Sequence, residues 1–174
     1  MINKTGTKRA ISVVKNNFLL YTADNKSKVT KRIYERAATV AKGEKGFLLL
    51  SDTRGEEEQF MLLSSVAAGV DIQKYLDGKL LKNELLALTE AVSSLFGTVE
   101  ATGDGATEPR LFREQIQKHS EYISYAFIEL FSLGERETLF LLEELKNIGG
   151  KCGIRIEVGT TTAIKPNGYV MMMT

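Results

Sequence analysis

Two short apolar runs open the chain, AISVV at 10–14 and FLLYT at 18–22, with Lys15-Asn16-Asn17 between them. Strand-like runs joined by a short Asn-containing turn predict a β-hairpin. From Thr30 the pattern changes: Ile33, Tyr34, Ala37, Ala38, Val40 and Ala41 recur at helical spacing up to Gly43, which predicts a helix over 30–42. FLLLS at 47–51 is apolar without interruption, as a strand covered on both faces of a parallel sheet should be. Thr53 and Glu56 then stand three apart, and Glu56, Glu57 and Glu58 suit the positive end of a helix; a capping box and a dipole-compensating acidic turn are expected there rather than a metal site.

Helices are predicted over 56–68, 71–77 and 82–96, the last burying Leu85, Leu86, Leu88, Val92 and Leu95. A short strand at 98–101 leads through TGDGA (102–106) to a helix beginning near Thr107 with Pro109 in its first turn. TGDGA has neither the lysine nor the length of a phosphate loop. Tyr122–Phe131 is a second strongly apolar strand, 135–148 an amphipathic helix closed by Gly149-Gly150, 153–158 a strand, Lys165-Pro166-Asn167-Gly168 a turn and 169–173 a last strand. Strands alternating with helices through short connections imply right-handed crossovers and a mostly parallel central sheet, hence a three-layer α/β fold preceded by the hairpin.

At 174 residues, 43% of them hydrophobic, the chain fits one domain, 1–174. Its longest apolar stretches fall well short of the roughly 20 residues a membrane span needs, and no apolar signal core follows the first lysines, so a cytoplasmic protein without membrane partners is expected. The single cysteine, Cys152, and single histidine, His119, exclude an internal disulfide and a Cys/His zinc cluster. Cys152 reads as a small hydrophobe at a strand entry and His119 as a residue of a helix end. Charge is uneven: residues 1–45 hold eleven Lys and Arg against three Asp and Glu, a surplus of eight, and the overall +1 leaves −7 for the remainder. Such asymmetry suits either a solvated surface or a basic face for nucleic acid or an acidic partner, with Lys8, Arg9, Lys31, Arg32 and Arg36 as the contacts.

The segment LLLSDTRGEEEQFMLLSSVAAGVDIQKYLDGKLLKNELLALTEAVSSLF, with Ala68-Gly69-Val70-Asp71 and Gly78-Lys79-Leu80, resembles the RecA-like ATPase core of DnaB-type bacterial replicative DNA helicases. In weaker form the resemblance runs over about 18–173. It implies a P-loop-type fold in which LLYTADNKSKVT (19–30) stands for the first strand, phosphate loop and helix start. The loop position departs from G-x-x-x-x-G-K-[ST]. Aligned on that pattern, Ala23 and Lys28 take the glycine positions, Val29 the lysine position, and Thr30 alone matches, as the hydroxyl.

By the same resemblance Glu129 falls where the family has its magnesium-site aspartate, Asp52 or Thr53 near the catalytic glutamate, and Thr160 or Thr161 near the polar sensor. Lys26, Ser27, Lys28 and Thr30 then form a vestigial nucleotide site and Glu129 a vestigial metal site, with no catalytic residue assigned. Glu129 as a solvated or capping residue at a strand end is the competing reading. The resemblance implies a non-hydrolysing relative, a pseudo-ATPase without cofactor. It would work as an interaction partner of a replication protein or helicase in DNA replication or maintenance, as on a mobile element, in the form of a monomer or small homo-oligomer. The alternatives are an atypical ATPase using ATP and Mg²⁺ through Lys26, Lys28, Thr30 and Glu129, and a protein that binds DNA directly through its basic first third.

Overall fold

The computed structural model describes residues 17–43, 46–95, 99–101, 108–164 and 171–173. The strands are β1 (Phe18–Thr22), β2 (Phe47–Ser51), β3 (Val99–Ala101), β4 (Tyr125–Leu130), β5 (Arg155–Thr160) and β6 (Met171–Met173). The helices are α1 (Lys26–Ala41), α2 (Glu56–Ala68), α3 (Ile72–Leu76), α4 (Lys82–Leu95), α5 (Phe112–His119) and α6 (Glu135–Cys152). Six strands form one sheet in the order β3-β2-β4-β5-β1-β6, and every described pairing is parallel.

Alternation along the strands sorts the core into two layers. Leu20, Leu48, Leu50, Ala126, Ile128, Ile156 and Val158 meet α5 and α6 on one face, and Leu19, Tyr21, Phe47, Leu49 and Phe127 meet α1, α2 and the end of α4 on the other. The expected three-layer α/β fold is therefore present. β1, the second arm of the expected hairpin, is flanked by β5 along its length and by β6 over Leu20–Thr22, so its ladders come from parallel neighbours. Residues 10–14, TGDGA and the turn at 165–168 lie outside the described residues.

Several boundaries move, and each has a local cause. Helix α1 begins at Lys26, four residues before the expected Thr30. Asn25 caps it, accepting a hydrogen bond from the Lys28 backbone N–H at 2.9 Å. The Thr53–Glu56 capping box does not form, since α2 is capped by Gly55 without a side-chain bond. Helix α6 runs past Gly149-Gly150 and ends at Gly153, which adopts the left-handed conformation at φ 69°. Gly149 is instead a contact glycine, where a Cβ would stand 2.9 Å from the Ile156 side chain. Cys152 is consequently the last residue of α6, partly buried, and not a strand entry. On α4 the buried stripe is Leu88, Ala91 and Leu95, while Leu85 and Leu86 are exposed, reversing the expectation for those two leucines.

Candidate functional site

All parallel strands point their carboxyl ends to one edge of the sheet, the place where open α/β sheets hold ligands. There β1 passes into α1, β2 ends at Ser51-Asp52, β4 at Glu129-Leu130 and β5 at Thr160. The strand register sets Glu129 beside Ser51 on one side and Gly159 on the other. Because Gly159 has no side chain, α1 sinks onto the sheet, and a Cβ there would meet Val29 at 2.4 Å and Ile33 at 2.8 Å. That close approach brings Thr30 over Glu129.

Thr30 donates its hydroxyl to Glu129 Oε1 at 2.5 Å. Arg54, from the turn after β2, donates Nε–H to Glu129 Oε2 at 3.1 Å, lies 3.5 Å from Thr30 Oγ1 through Nη2, and pairs with Glu58 on the first turn of α2. Gln59 holds the Arg54 carbonyl at 3.1 Å, fixing the turn. Glu129 is 1% exposed, so the reading of it as a solvated strand-end residue is corrected.

Burial lifts the Glu129 carboxyl above the ordinary glutamate range; the Thr30 hydroxyl and the Arg54 charge pull the other way without cancelling it. Burial also works against the Arg54 charge, but Glu129 and Glu58 outweigh it and hold the guanidinium above its usual value. A carboxyl whose folded pKa is raised contributes stability that is complete below its unfolded pKa and is lost as pH rises through the folded value. The stability advantage of the native chain over Glu129→Gln, measured by urea denaturation, is accordingly expected to shrink as pH climbs from the ordinary glutamate range into the raised one. A constant or growing advantage would contradict the assignment.

The residues expected from the phosphate-loop resemblance are not arranged as a cradle. Only Ala23, Asp24 and Asn25 separate β1 from α1, so Lys26, Ser27, Lys28 and Val29 are already helical. Val29 is buried in the core beneath α1. Lys28 pairs with Asp24 at 2.8 Å, and Lys26 lies over the Phe131 ring at 5.4 Å. Ser27 is exposed on the rim of a groove of about 570 Å³ between α1 and the α2–α3 corner, lined also by Lys31, Tyr34, Gly69 and Asp71.

Asp52 is committed to the backbone. It accepts from the N–H of Phe131 at 2.8 Å and from both the N–H and the hydroxyl of Ser132 at 2.7 Å, fastening the segment after β4. Thr53 is exposed, and Thr160 is fully buried and accepts from the Thr162 N–H at 3.1 Å. A Mg²⁺–triphosphate needs free carboxylate lone pairs, a lysine and a ring of backbone N–H groups. Here both oxygens of Glu129 are engaged, one by a guanidinium, and Lys28 at the helix entrance is paired with Asp24. These residues do not fit that ligand. Among the described residues no group of three or more His, Cys, Asp and Glu could hold a metal ion.

The residues that sequence reasoning missed are Arg54 and a second buried cluster lower on the same face. Glu157 on β5 is fully buried, gripped by Arg36 through Nε at 3.1 Å and Nη2 at 2.8 Å, by the Tyr21 hydroxyl at 2.8 Å and by Arg155 at 3.2 Å. Arg32 lies over the Tyr21 ring at 5.6 Å. Burial, followed by the Glu157 charge and its hydrogen bond, pushes the Tyr21 phenol well above its usual range. The signal was present: a glutamate in the apolar strand IRIEVG must carry its partner with it. Of the five basic residues proposed as contacts, Arg36 is thus an internal ion-pair partner, Lys31 projects into solvent beside Glu35, and Lys8 and Arg9 lie outside the described residues.

No family model and no curated protein matches this chain. Among solved structures it is similar to the ATPase domain of a DnaB-family helicase, with a TM-score of 0.64 at 11% identity over 83% of this chain. The chain spans 57% of the length of that one. The likeness shows a RecA-like fold. No helix among the described residues is long and apolar enough to cross a membrane.

Proposed function

We propose that this chain is a RecA-like domain that does not hydrolyse nucleotide and serves as a protein partner of the replication machinery, with a replicative helicase as the first-choice partner. The observation that carries the reading is the Thr30–Glu129–Arg54 cluster. Where a nucleotide-binding relative would need an open carboxylate and a glycine loop, this chain has an ion pair and an early-starting helix. Transition-state stabilisation in phosphoryl transfer is almost wholly electrostatic and positional, so losing the lysine, the loop and the free carboxylate together removes its means. The choice of partner is an analogy at the level of the fold: a chain that keeps a RecA-like core can meet another RecA-like domain through its surface without nucleotide chemistry. Protein contact ranks ahead of direct DNA contact because Arg36 is engaged by Glu157 and Arg32 by Tyr21.

One steady-state experiment tests both halves, phosphate release by the chain alone and by a replicative helicase from the same source with the chain added. The expected result is no release above background alone and a dose-dependent change in the helicase rate. Turnover by the chain itself, or a helicase rate indifferent to it, would contradict the proposal.

A further inference from the structure

The cluster at the end of β4 is complete as it stands. Glu129 is buried between β2 and β5, its Oε1 is taken by Thr30 and its Oε2 by Arg54, and Glu58 closes on the guanidinium from the outer side. Arg54 is half-buried, and its side chain therefore reaches in from the rim rather than rising from the floor. A buried carboxylate requires a countercharge, and the chain supplies one from a turn that Gln59 fixes. Glu58 and Glu129 both contact the same guanidinium, so removing it would leave the buried Glu129 carboxylate, the Thr30 hydroxyl and the more exposed Glu58 carboxylate without their shared countercharge. Hard oxygen donors of that kind suit a divalent cation with part of its water shell retained.

We propose that Arg54 is a built-in countercation, standing in from within the chain for the divalent ion that a nucleotide-binding fold of this type holds beside its β4 carboxylate. The proposal rests on the reading that the native chain holds no Mg²⁺-nucleotide. Its consequence is that folding and shape are independent of divalent ions as long as Arg54 is present, and become dependent on them when it is lost.

The test is thermal melting of the full chain in EDTA and in millimolar MgCl₂, CaCl₂ or MnCl₂, without nucleotide, for the native protein, Arg54→Lys, Arg54→Ala and Arg54→Ala with Glu129→Gln. The expected result is no cation response in the native chain or Arg54→Lys, a saturable rise in melting temperature for Arg54→Ala, and loss of that rise in the double variant. If Arg54→Ala is unfolded in EDTA, recovery of its helical circular dichroism on adding cation reads the same outcome. Indifference of Arg54→Ala to all three cations, or an equal response without Glu129, would overturn the proposal. A rise for the native protein with MgATP but not with MgCl₂ would instead strike the reading that the native chain holds no Mg²⁺-nucleotide, so the two failures are separable.

Discussion

Glu157→Ala is expected to destabilise the chain by about 3–5 kcal/mol, the loss typical when one member of a buried ion pair is removed and its partner stays behind. Glu157 is fully buried, and Arg36 grips it with two nitrogens while Tyr21 and Arg155 complete its shell. Without it the Arg36 head group, Arg155 and the Tyr21 hydroxyl face one another at the base of α1. The loss is measured by urea denaturation. The paired change Glu157→Leu with Arg36→Met removes both charges at once and should recover most of the stability, because a well-packed apolar pair often equals a buried ionic one. A single-site loss below about 1 kcal/mol would mean that water reaches the cluster and screens it, as at exposed pairs.

Gly159→Val is expected to cost about 3 kcal/mol, at the upper end for overpacking, and to lower the melting temperature by roughly 6–12 °C for a chain of this size. Even the first carbon of a side chain would meet Val29 Cγ1 at 2.4 Å and Ile33 Cγ1 at 2.8 Å. Val29 is β-branched and cannot swing aside at little cost, so α1 must lift. Lifting α1 draws Thr30 away from Glu129, and the same substitution should therefore loosen the Arg54 cluster. Adding Val29→Ala to Gly159→Ala should restore part of the loss in a double-mutant cycle. Strict additivity of the two changes would show that α1 is not held by this contact.

The sheet was legible because its strands announce themselves. FLLL in β2 and YAFI in β4 are unbroken apolar runs, as strands covered on both faces require, and Glu129 interrupts the second only at its carboxyl end. Helix α2 was legible from its acidic first turn, although the capping box expected before it does not form. The start of α1 was not, because the apolar period begins only at Val29. The residues that set the boundary, Asn25 and the turn before it, act through one hydrogen bond to Lys28. Leu85 and Leu86 misled because period alone fixes which residues share a helix face, not how wide the covered stripe is. In α4 only the side carrying Leu88, Ala91 and Leu95 is covered.

The site divides in the same way. The family resemblance points to Thr30 and Glu129, and the fold sets them 2.5 Å apart. Arg54 reads in the sequence only as part of a polar turn, because nothing local distinguishes an arginine that faces solvent from one that reaches a buried carboxylate 75 residues further along the chain. That partner is fixed by register between β2 and β4, which sequence spacing does not encode. Glu157 stands out as a charge in an apolar strand, yet its partner Arg36 looks like one more cation of a basic helix.

Whether the turn between β1 and α1 can grip a triphosphate separates an idle fold from a working one. Isothermal titration of MgATP into the native chain, in buffer free of other phosphate, answers that question without an intermediary. A flat heat trace at every injection is expected, with the Thr30–Glu129–Arg54 cluster undisturbed. A saturable binding isotherm that vanishes in a Lys28→Ala, Thr30→Ala double variant would contradict it.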